Sequence, residues 1–419
     1  MNENLARKIE SSLPTDALDL IKKAAGLAAA RSERLYLVGG VVRDLLLGRQ
    51  TLDIDLAVEG DAAGLARALA GDEADNITLH PQFNTARLDW RGLTIDLASA
   101  RRETYPHPGA LPVVSPVSIE EDLFRRDFTI NAMAVSLNPD DFGRLIDPYN
   151  GQGDLRGALI RIIHAKSFLD DPTRIWRGLR YERRLGFRLE PETLRLLKRH
   201  ITLLDSVSGD RIYYELECAL REEAPERILH RAGEMGVLQK LDPALASESR
   251  LDERFRHARA LVHPDSPSTG LYLALLAYDL GRQEKKRLIS YLNLKRSLAR
   301  TLLDADDIGS RLPQLSQPDM KPSAVYHLLD GFSKTAISSV MIAADSPAAK
   351  ANIELYLNVL RSEKPVLTGD DLIAMGIPEG PRIKEILERL LDGRLDGKVR
   401  TREDEEKLVL DCSKEQSGF

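Results

Sequence analysis

Asp53-Ile54-Asp55 is the segment of this chain whose side chains are best suited to gripping divalent cations. In a strand, side chains alternate faces, so both carboxylates project one way while Ile54 and Leu56 pack the other way. Two aspartates so placed lie roughly 7 Å apart at the backbone. Their tips can converge on a pair of Mg2+ ions about 3.5–4 Å apart. Magnesium takes hard oxygen ligands and few of them from protein, which leaves positions for substrate phosphates. The competing reading is an exposed strand face with two solvated acids, because a bare Asp-x-Asp is short and common. Asp96, in Thr94-Ile95-Asp96-Leu97, is a candidate third carboxylate. It is either a metal ligand or the base that takes the proton of an attacking hydroxyl. A polar residue on the wet face of an edge strand is the competing account.

Two further segments bear on anions. In Leu37-Val38-Gly39-Gly40-Val41-Val42-Arg43-Asp44, paired glycines between a strand and a helix let backbone N–H groups approach a phosphate. Arg43 adds a phosphate contact and Asp44 an anchor for it; the alternative is a tight turn with a surface ion pair. In Arg125-Arg126-Asp127-Phe-Thr-Ile-Asn131-Ala-Met133, two guanidinium forks match triphosphate oxygens. Asp127 also suits the N-cap of a helix expected over Phe128 to Val135. Asn131 is placed to serve a ribose hydroxyl or a backbone carbonyl.

The elements that must position these groups change character near residue 165. Before it, Leu35–Val38 and Asp53–Val58 read as strands, Val41–Leu47 and Asp61–Ala70 as helices, and Asn76–Trp90 with Gly92–Ala100 as paired strands joined at Arg91-Gly92. After it, apolar residues recur at helical spacing, as at Leu194, Leu197 and Ile201, or Ile383, Ile386, Leu387, Leu390 and Leu391. Ser206–Gly209, Pro264–Ser268 and Pro313–Pro322 read as linkers. The expected fold is α+β: a small α/β head, a mixed sheet with helices, followed by an elongated all-helical neck, body and tail. The segments are drawn at 1–165 (catalytic head), 166–235 (neck), 236–330 (body) and 331–419 (tail).

The glycine turn, Asp-Ile-Asp and Arg-Arg-Asp-Phe-Thr-Ile-Asn-Ala-Met, in this order, resemble the class II tRNA nucleotidyltransferase and bacterial poly(A) polymerase family. So do Asp170-Asp171-Pro172-Thr173-Arg174-Ile-Trp-Arg177-Gly-Leu-Arg180-Tyr181 and Gly209-Asp210-Arg211-Ile212 with Glu215-Leu216. Leu367-Thr-Gly-Asp-Asp-Leu-Ile and Gly376-Ile-Pro-Glu-Gly-Pro381 are similar to the C-terminal region of these enzymes. The resemblance implies a Mg2+-dependent transfer of nucleotides from CTP and ATP to a tRNA 3′ end, with the tail contacting tRNA. It places Asp53 and Asp55 on the metals, Asp96 beside them, and Gly39, Gly40, Arg43, Arg126, Asp127, Asn131, Arg177 and Arg180 around the nucleotide. Arg177, Arg180, Arg183 and Arg184 form a basic surface for triphosphate or primer backbone.

The resemblance also aligns Asp171 and Arg174 with the family's base-selecting pair, with Asp170 where Glu is usual. Their chemistry fits. Asp171 and Pro172 read as N-cap and first residue of a helix, one turn before Arg174. Cytosine and adenine each present an amino donor beside a ring-nitrogen acceptor; guanine and uracil present the reverse. One fixed acceptor and one fixed donor therefore take C or A. Capping alone is the competing role for Asp171. Arg211 is expected to brace the helical neck by pairing with an acid, and His164 to be structural.

Among family activities, CCA addition is favoured. Ser99–Ser118 fills the position of a flexible loop that CC-only members lack or shorten, and the acid-rich stretch from Asp404 lowers polyadenylation. Addition of A alone shares the same base-reading pair. No His-Asp dipeptide occurs, so an appended phosphohydrolase domain is not expected. A catalytically idle RNA-binding protein is the rival from another class. It gives no reason for Asp53, Asp55 and a full nucleotide pocket to occur together.

Composition narrows the setting. At 419 residues, the chain is long enough for two to four domains, and 43% apolar with 30% charged residues describes a globular protein. A net charge of −6 argues against a polybasic coat, although nine Lys/Arg against three Glu lie between Arg174 and Arg199. Two distant cysteines exclude a disulfide framework or Cys-based zinc site. With no apolar run of membrane-spanning length and no apolar core in Met1–Pro14, the expected location is cytoplasmic, away from any membrane. The sequence is silent on oligomeric state.

Overall fold

Alternation of apolar and polar residues sets the first layer. In the computed structural model, which describes residues 4–49, 53–71, 76–107, 109–245 and 249–414, nine strands precede residue 147. They are β1 (Arg34–Val38), β2 (Asp53–Glu59), β3 (Asn76–His80), β4 (Thr85–Trp90), β5 (Leu93–Ser99), β6 (Arg101–Thr104), β7 (Val113–Pro116), β8 (Ala134–Ser136) and β9 (Leu145–Ile146). Residues 1–3 and 415–419, which include the ends of the opening and acid-rich stretches read above, lie outside the described set.

Seven strands form one mixed sheet in the order β3-β4-β5-β2-β1-β8-β9. β2 and β5 run parallel, and the other neighbours are antiparallel. Ile54, Leu56 and Val58 of β2 with Ile95 and Leu97 of β5 are buried on one face. The helices Thr15–Ala30 and Ala62–Ala70 supply apolar stripes to this half of the fold: Ala17, Leu20, Ile21, Ala24 and Ala28 from the first, Leu65, Ala66 and Leu69 from the second. The opposite face is left to Asp53 and Asp55.

Two local expectations need correction. Asn76–Trp90 is not one strand: Pro81 starts a 3-10 turn over Pro81–Phe83, and Asn84 at φ 44° completes the reversal into β4. Proline cannot donate to a ladder, so the run divides there. The joint at Arg91-Gly92 is as expected, both residues having positive φ (47° and 80°), as a two-residue hairpin turn needs. Phe128–Val135 is not a helix but a 3-10 turn, Thr129–Asn131, running into β8. Val135 and Ala134 pair with Leu37 and Val38 of β1, and that ladder overrides the local preference. Ser99–Ser118 is built around the antiparallel hairpin β6–β7; Pro108 within it lies outside the described residues.

The chain divides into two compact units, 1–240 and 241–419. Beyond β9, the first unit continues mainly as helices, including Arg174–Leu185 and Gly209–Leu220. The second is helical throughout its described residues. One of its cores gathers Ile308, Val325, Leu329, Ile337, Val340, Ile353 and Tyr356; another gathers Leu367, Leu372, Ile377, Ile386, Leu390 and Val409. The fully buried Glu405 carboxylate accepts from the Val366 and Leu367 N–H groups and pairs with Arg394, fixing the start of the Leu367–Pro381 segment. Ser206–Gly209 and Pro264–Ser268 each join two helices within a unit. Pro313, by contrast, lies inside helix Arg296–Leu315, where the buried Leu315 holds the last turn. Among the described residues, no helix is long and apolar enough to cross a membrane.

Candidate active site

Gly39 ends β1 at φ 75°, ψ −134°, a backbone conformation open in practice only to glycine. A Cβ there would lie 3.0 Å from Arg126 Nη1 and 3.5 Å from Asp55 Oδ2. The turn therefore brings the main chain, a guanidinium and the inner carboxylate to one point. Gly40 begins the helix Gly40–Leu46, one residue earlier than expected.

Around this point opens a cavity of about 620 Å3. Its wall includes Gly39, Gly40, Arg43, Asp53, Asp55, Arg126, Asp127, Asn131, Asp171, Arg174 and Arg177. Two of the residues expected there are elsewhere. Asp96 lines an adjoining cavity, also about 620 Å3, which shares Asp55 and Arg126 with the first. Arg180 sits behind the wall, buried against Glu215 at 3.5 Å and Glu222 at 3.6 Å.

Asp53 is exposed and Asp55 half-buried on the same face of β2. The Asp55 carboxyl is pushed up to about 6, first by burial; Arg126 opposes the rise, while Asp96 and Asp53 add to it. Clustered acids with hard oxygens, one of them desolvated, suit a divalent cation that relieves their repulsion. Among the described residues, no three His, Cys, Asp or Glu side chains converge into a ready-made cage.

One hydrogen-bonded chain carries the rest of the floor. Arg43, 3% exposed, is clamped by Asp44 (Nε to Oδ1, 2.9 Å; Nη2 to Oδ2, 2.8 Å), and its Nη1 donates to Asn131 Oδ1 at 2.7 Å. Asn131 Nδ2 donates to Asp127 Oδ1 at 3.0 Å, and Arg177 Nε donates to Asp127 Oδ2 at 2.8 Å. The Tyr181 ring lies within 5.4 Å of the Arg43 guanidinium carbon and 5.8 Å of that of Arg177. Asp127 caps no helix; its buried carboxylate joins the two arginines through Asn131. Burial alone would raise its pKa, but Arg177 and Asn131 overcome this and hold it at about 2. A carboxylate depressed from 3.8 stabilises the fold fully above that pH and loses the contribution as pH falls through about 2. Asp127→Asn should therefore cost about 2 kcal/mol at pH 7. Melting curves should show the loss at neutral pH and its narrowing below about pH 4.

The two adjacent arginines diverge. Arg126 keeps Nη1 over Gly39 while its Nη2 pairs with Asp122 at 3.0 Å. Arg125 also lines the cavity, but its guanidinium is paired with Asp122 (2.8 Å) and with Glu103 (3.1 Å), itself a wall residue. The basic run is partly neutralised as well: Arg177 and Arg180 face Asp127, Glu215 and Glu222.

Asp171 and Arg174 stand on the same wall. The helix begins at Arg174 rather than at Pro172, yet Asp171 Oδ1 accepts from the Thr173 N–H at 3.1 Å, as a cap would. The same oxygen accepts from Arg211 Nη2 at 2.8 Å, so the acid that Arg211 braces is Asp171 itself. Arg174 is held by the Ser167 and Arg125 carbonyl oxygens at 3.2 and 2.5 Å. His164 stacks on Phe124, with ring centroids 4.6 Å apart, away from this wall.

The wall also includes Glu103, Tyr105 and Tyr214, which the sequence reading did not single out. Tyr105 donates to Glu103 at 2.6 Å, anchoring the β6–β7 hairpin beside Arg125. Only strand pairing reveals that anchor. Tyr214, 60% exposed, lies one residue before Glu215 on helix Gly209–Leu220, and helical spacing from Arg211 was the available signal.

Comparison with known proteins identifies relatives of this chain. A family model described as the poly A polymerase head domain matches residues 35–161, and one described as the probable RNA and SrmB-binding site of polymerase A matches 186–248. The chain is 34% identical to an A-adding tRNA nucleotidyltransferase of Geobacter sulfurreducens over 95% of its length and 47% of that protein. It is 33% identical to an A-adding tRNA nucleotidyltransferase of Halalkalibacterium halodurans, over 92% of this chain and 90% of the relative. The structure of the Thermotoga maritima CCA-adding enzyme complexed with tRNA_CCA superposes with a TM-score of 0.75 at 31% identity, covering 98% of this chain and 99% of that one. The chain spans about half the length of the first two curated relatives it matches.

Proposed function

Because the chain belongs to the class II tRNA nucleotidyltransferase family, we propose that it adds C and A nucleotides from CTP and ATP to the 3′ end of tRNA without a template. The observation that carries this reading is the presence of Asp171 and Arg174 on the wall that also holds Asp53 and Asp55. The acceptor–donor pair and the carboxylate pair line one cavity, which supports base reading and metal binding on a single nucleotide. Asp171 accepts from the exocyclic amine of C or A, and Arg174 donates to the neighbouring ring nitrogen. Arg126, Arg43 and the Gly39-Gly40 main chain receive the triphosphate, while Asn131 and Asp127 orient the sugar. Asp53 and Asp55 would hold two Mg2+ ions, which when bound neutralise phosphate charge and polarise the α-phosphate. The primer 3′-oxygen attacks the α-phosphorus in line, and pyrophosphate leaves.

In this reading, residues 1–165 carry transfer and 166–235 carry base selection. Residues 236–330 form a body, and 331–419 contact tRNA through backbone and shape. Addition of A alone is the second reading, favoured by the names of the two relatives described above. Incubation with labelled CTP or ATP, Mg2+ and tRNAs ending before C74, at C74 or at C75 separates the cases. Growth through all three positions supports CCA addition; extension only of the C75-ending tRNA by ATP supports the second reading. A long A ladder identifies a poly(A) polymerase, and no labelling leaves an RNA-binding protein.

A further inference from the structure

The polar face of the sheet is ordered by register. Asp55 of β2 lies beside Asp96 of β5, Asp96 beside Arg87 of β4, and Arg87 beside Thr78 of β3. The next row on the same face is Ala57, Ala98, Thr85 and His80, so the side chains are small except at His80 on the outer strand β3. Apart from Ala57, the residues of these rows line the second cavity, which meets the first at Asp55 and Arg126.

Arg87 meets Asp96 fork to fork: Nε donates to Oδ1 at 2.9 Å and Nη2 to Oδ2 at 2.7 Å. Both oxygens that would accept a proton are therefore engaged. The pair is nevertheless solvated, with the side chains 56% and 44% exposed, so its net strength is small and its opening easy. An in-line displacement needs the attacking oxygen opposite the leaving pyrophosphate. With the nucleotide in the first cavity, the second is the adjoining space from which that oxygen can approach.

We propose that Arg87 is a positioning residue that occupies Asp96 until an RNA 3′ end enters the second cavity, then transfers its fork to the terminal internucleotide phosphate and frees Asp96 to take the proton of the attacking 3′-hydroxyl. This rests on the nucleotidyl-transfer reading above. The exchange replaces one anionic partner of Arg87 with another, so charge is conserved, and it ties the availability of Asp96 to the presence of primer. Without primer, an uncovered Asp96 serves water instead. The water oxygen then bonds to the α-phosphorus, the bond to the pyrophosphate oxygen breaks, and the water proton passes to Asp96, giving nucleoside monophosphate and pyrophosphate.

The test compares wild type with R87Q and R87K in two assays: tRNA extension, and release of CMP or AMP from CTP or ATP with no RNA present. For R87Q the expected result is a KM for tRNA raised about tenfold, a KM for CTP moved less than twofold, and RNA-free hydrolysis raised about tenfold. R87K should recover part of the tRNA KM and suppress part of the hydrolysis. Unchanged hydrolysis, or an unchanged tRNA KM, in R87Q overturns the proposal while wild-type extension leaves the nucleotidyl-transfer reading standing. A wild-type protein that extends no tRNA removes both. Melting temperature reports whether R87Q folds, and if it is lowered the R87K values decide by the same criteria.

Discussion

Asp55→Asn is expected to abolish nucleotide incorporation, with a loss of at least about 10³-fold, while the protein remains folded. The loss follows from removing one of two aligned carboxylates on β2 and with it half of the candidate metal site. Stability should move the other way. A carboxyl raised from 3.8 to about 6 favours the folded state below the lower value and loses that contribution as pH rises through the upper one. At pH 7, without divalent cations, the variant should therefore be more stable than wild type by roughly 1–2 kcal/mol once solvent screening is allowed for, and the gain should disappear below about pH 4. Added Mg2+ should raise the wild-type melting temperature and not that of the variant, because only a ligand bound to the native state stabilises it. Equal Mg2+ shifts in both proteins would remove Asp55 from the metal site.

Asp171→Ser has the second largest expected effect, on choice of base. Serine retains a side-chain oxygen for the Thr173 N–H, so the helix entry should persist. It loses the anionic acceptor facing the cavity. The expected outcome is a fall of about 10²-fold in kcat/KM for both CTP and ATP, with UTP and GTP incorporation much less affected. The ratio between correct and incorrect nucleotides is the decisive measurement. A uniform fall for all four would make Asp171 a support for Arg211, its 2.8 Å partner, rather than a reader of the base.

The sequence by itself determined the local pieces. Gly39-Gly40 between a strand and a helix, the alternation that puts Asp53 and Asp55 on one face, and the Arg91-Gly92 turn are all consequences of backbone sterics and period-two patterning. They need no distant partner, so they are legible in a short window. Tertiary structure decided what each charged side chain faces. Arg125 and Arg126 both line the cavity, yet Arg125 is tied to Glu103 of the β6–β7 hairpin while Arg126 reaches over Gly39. Arg180 is taken behind the wall by Glu215 and Glu222, and Asp96 is covered by Arg87 across one register position. Phe128–Val135 has the pattern of a helix, yet its end is claimed by β1. The physical reason is common to these cases. A charged fork or a strand edge is satisfied by whichever partner the chain brings within hydrogen-bond reach, and that partner is often tens of residues away, beyond what periodicity encodes.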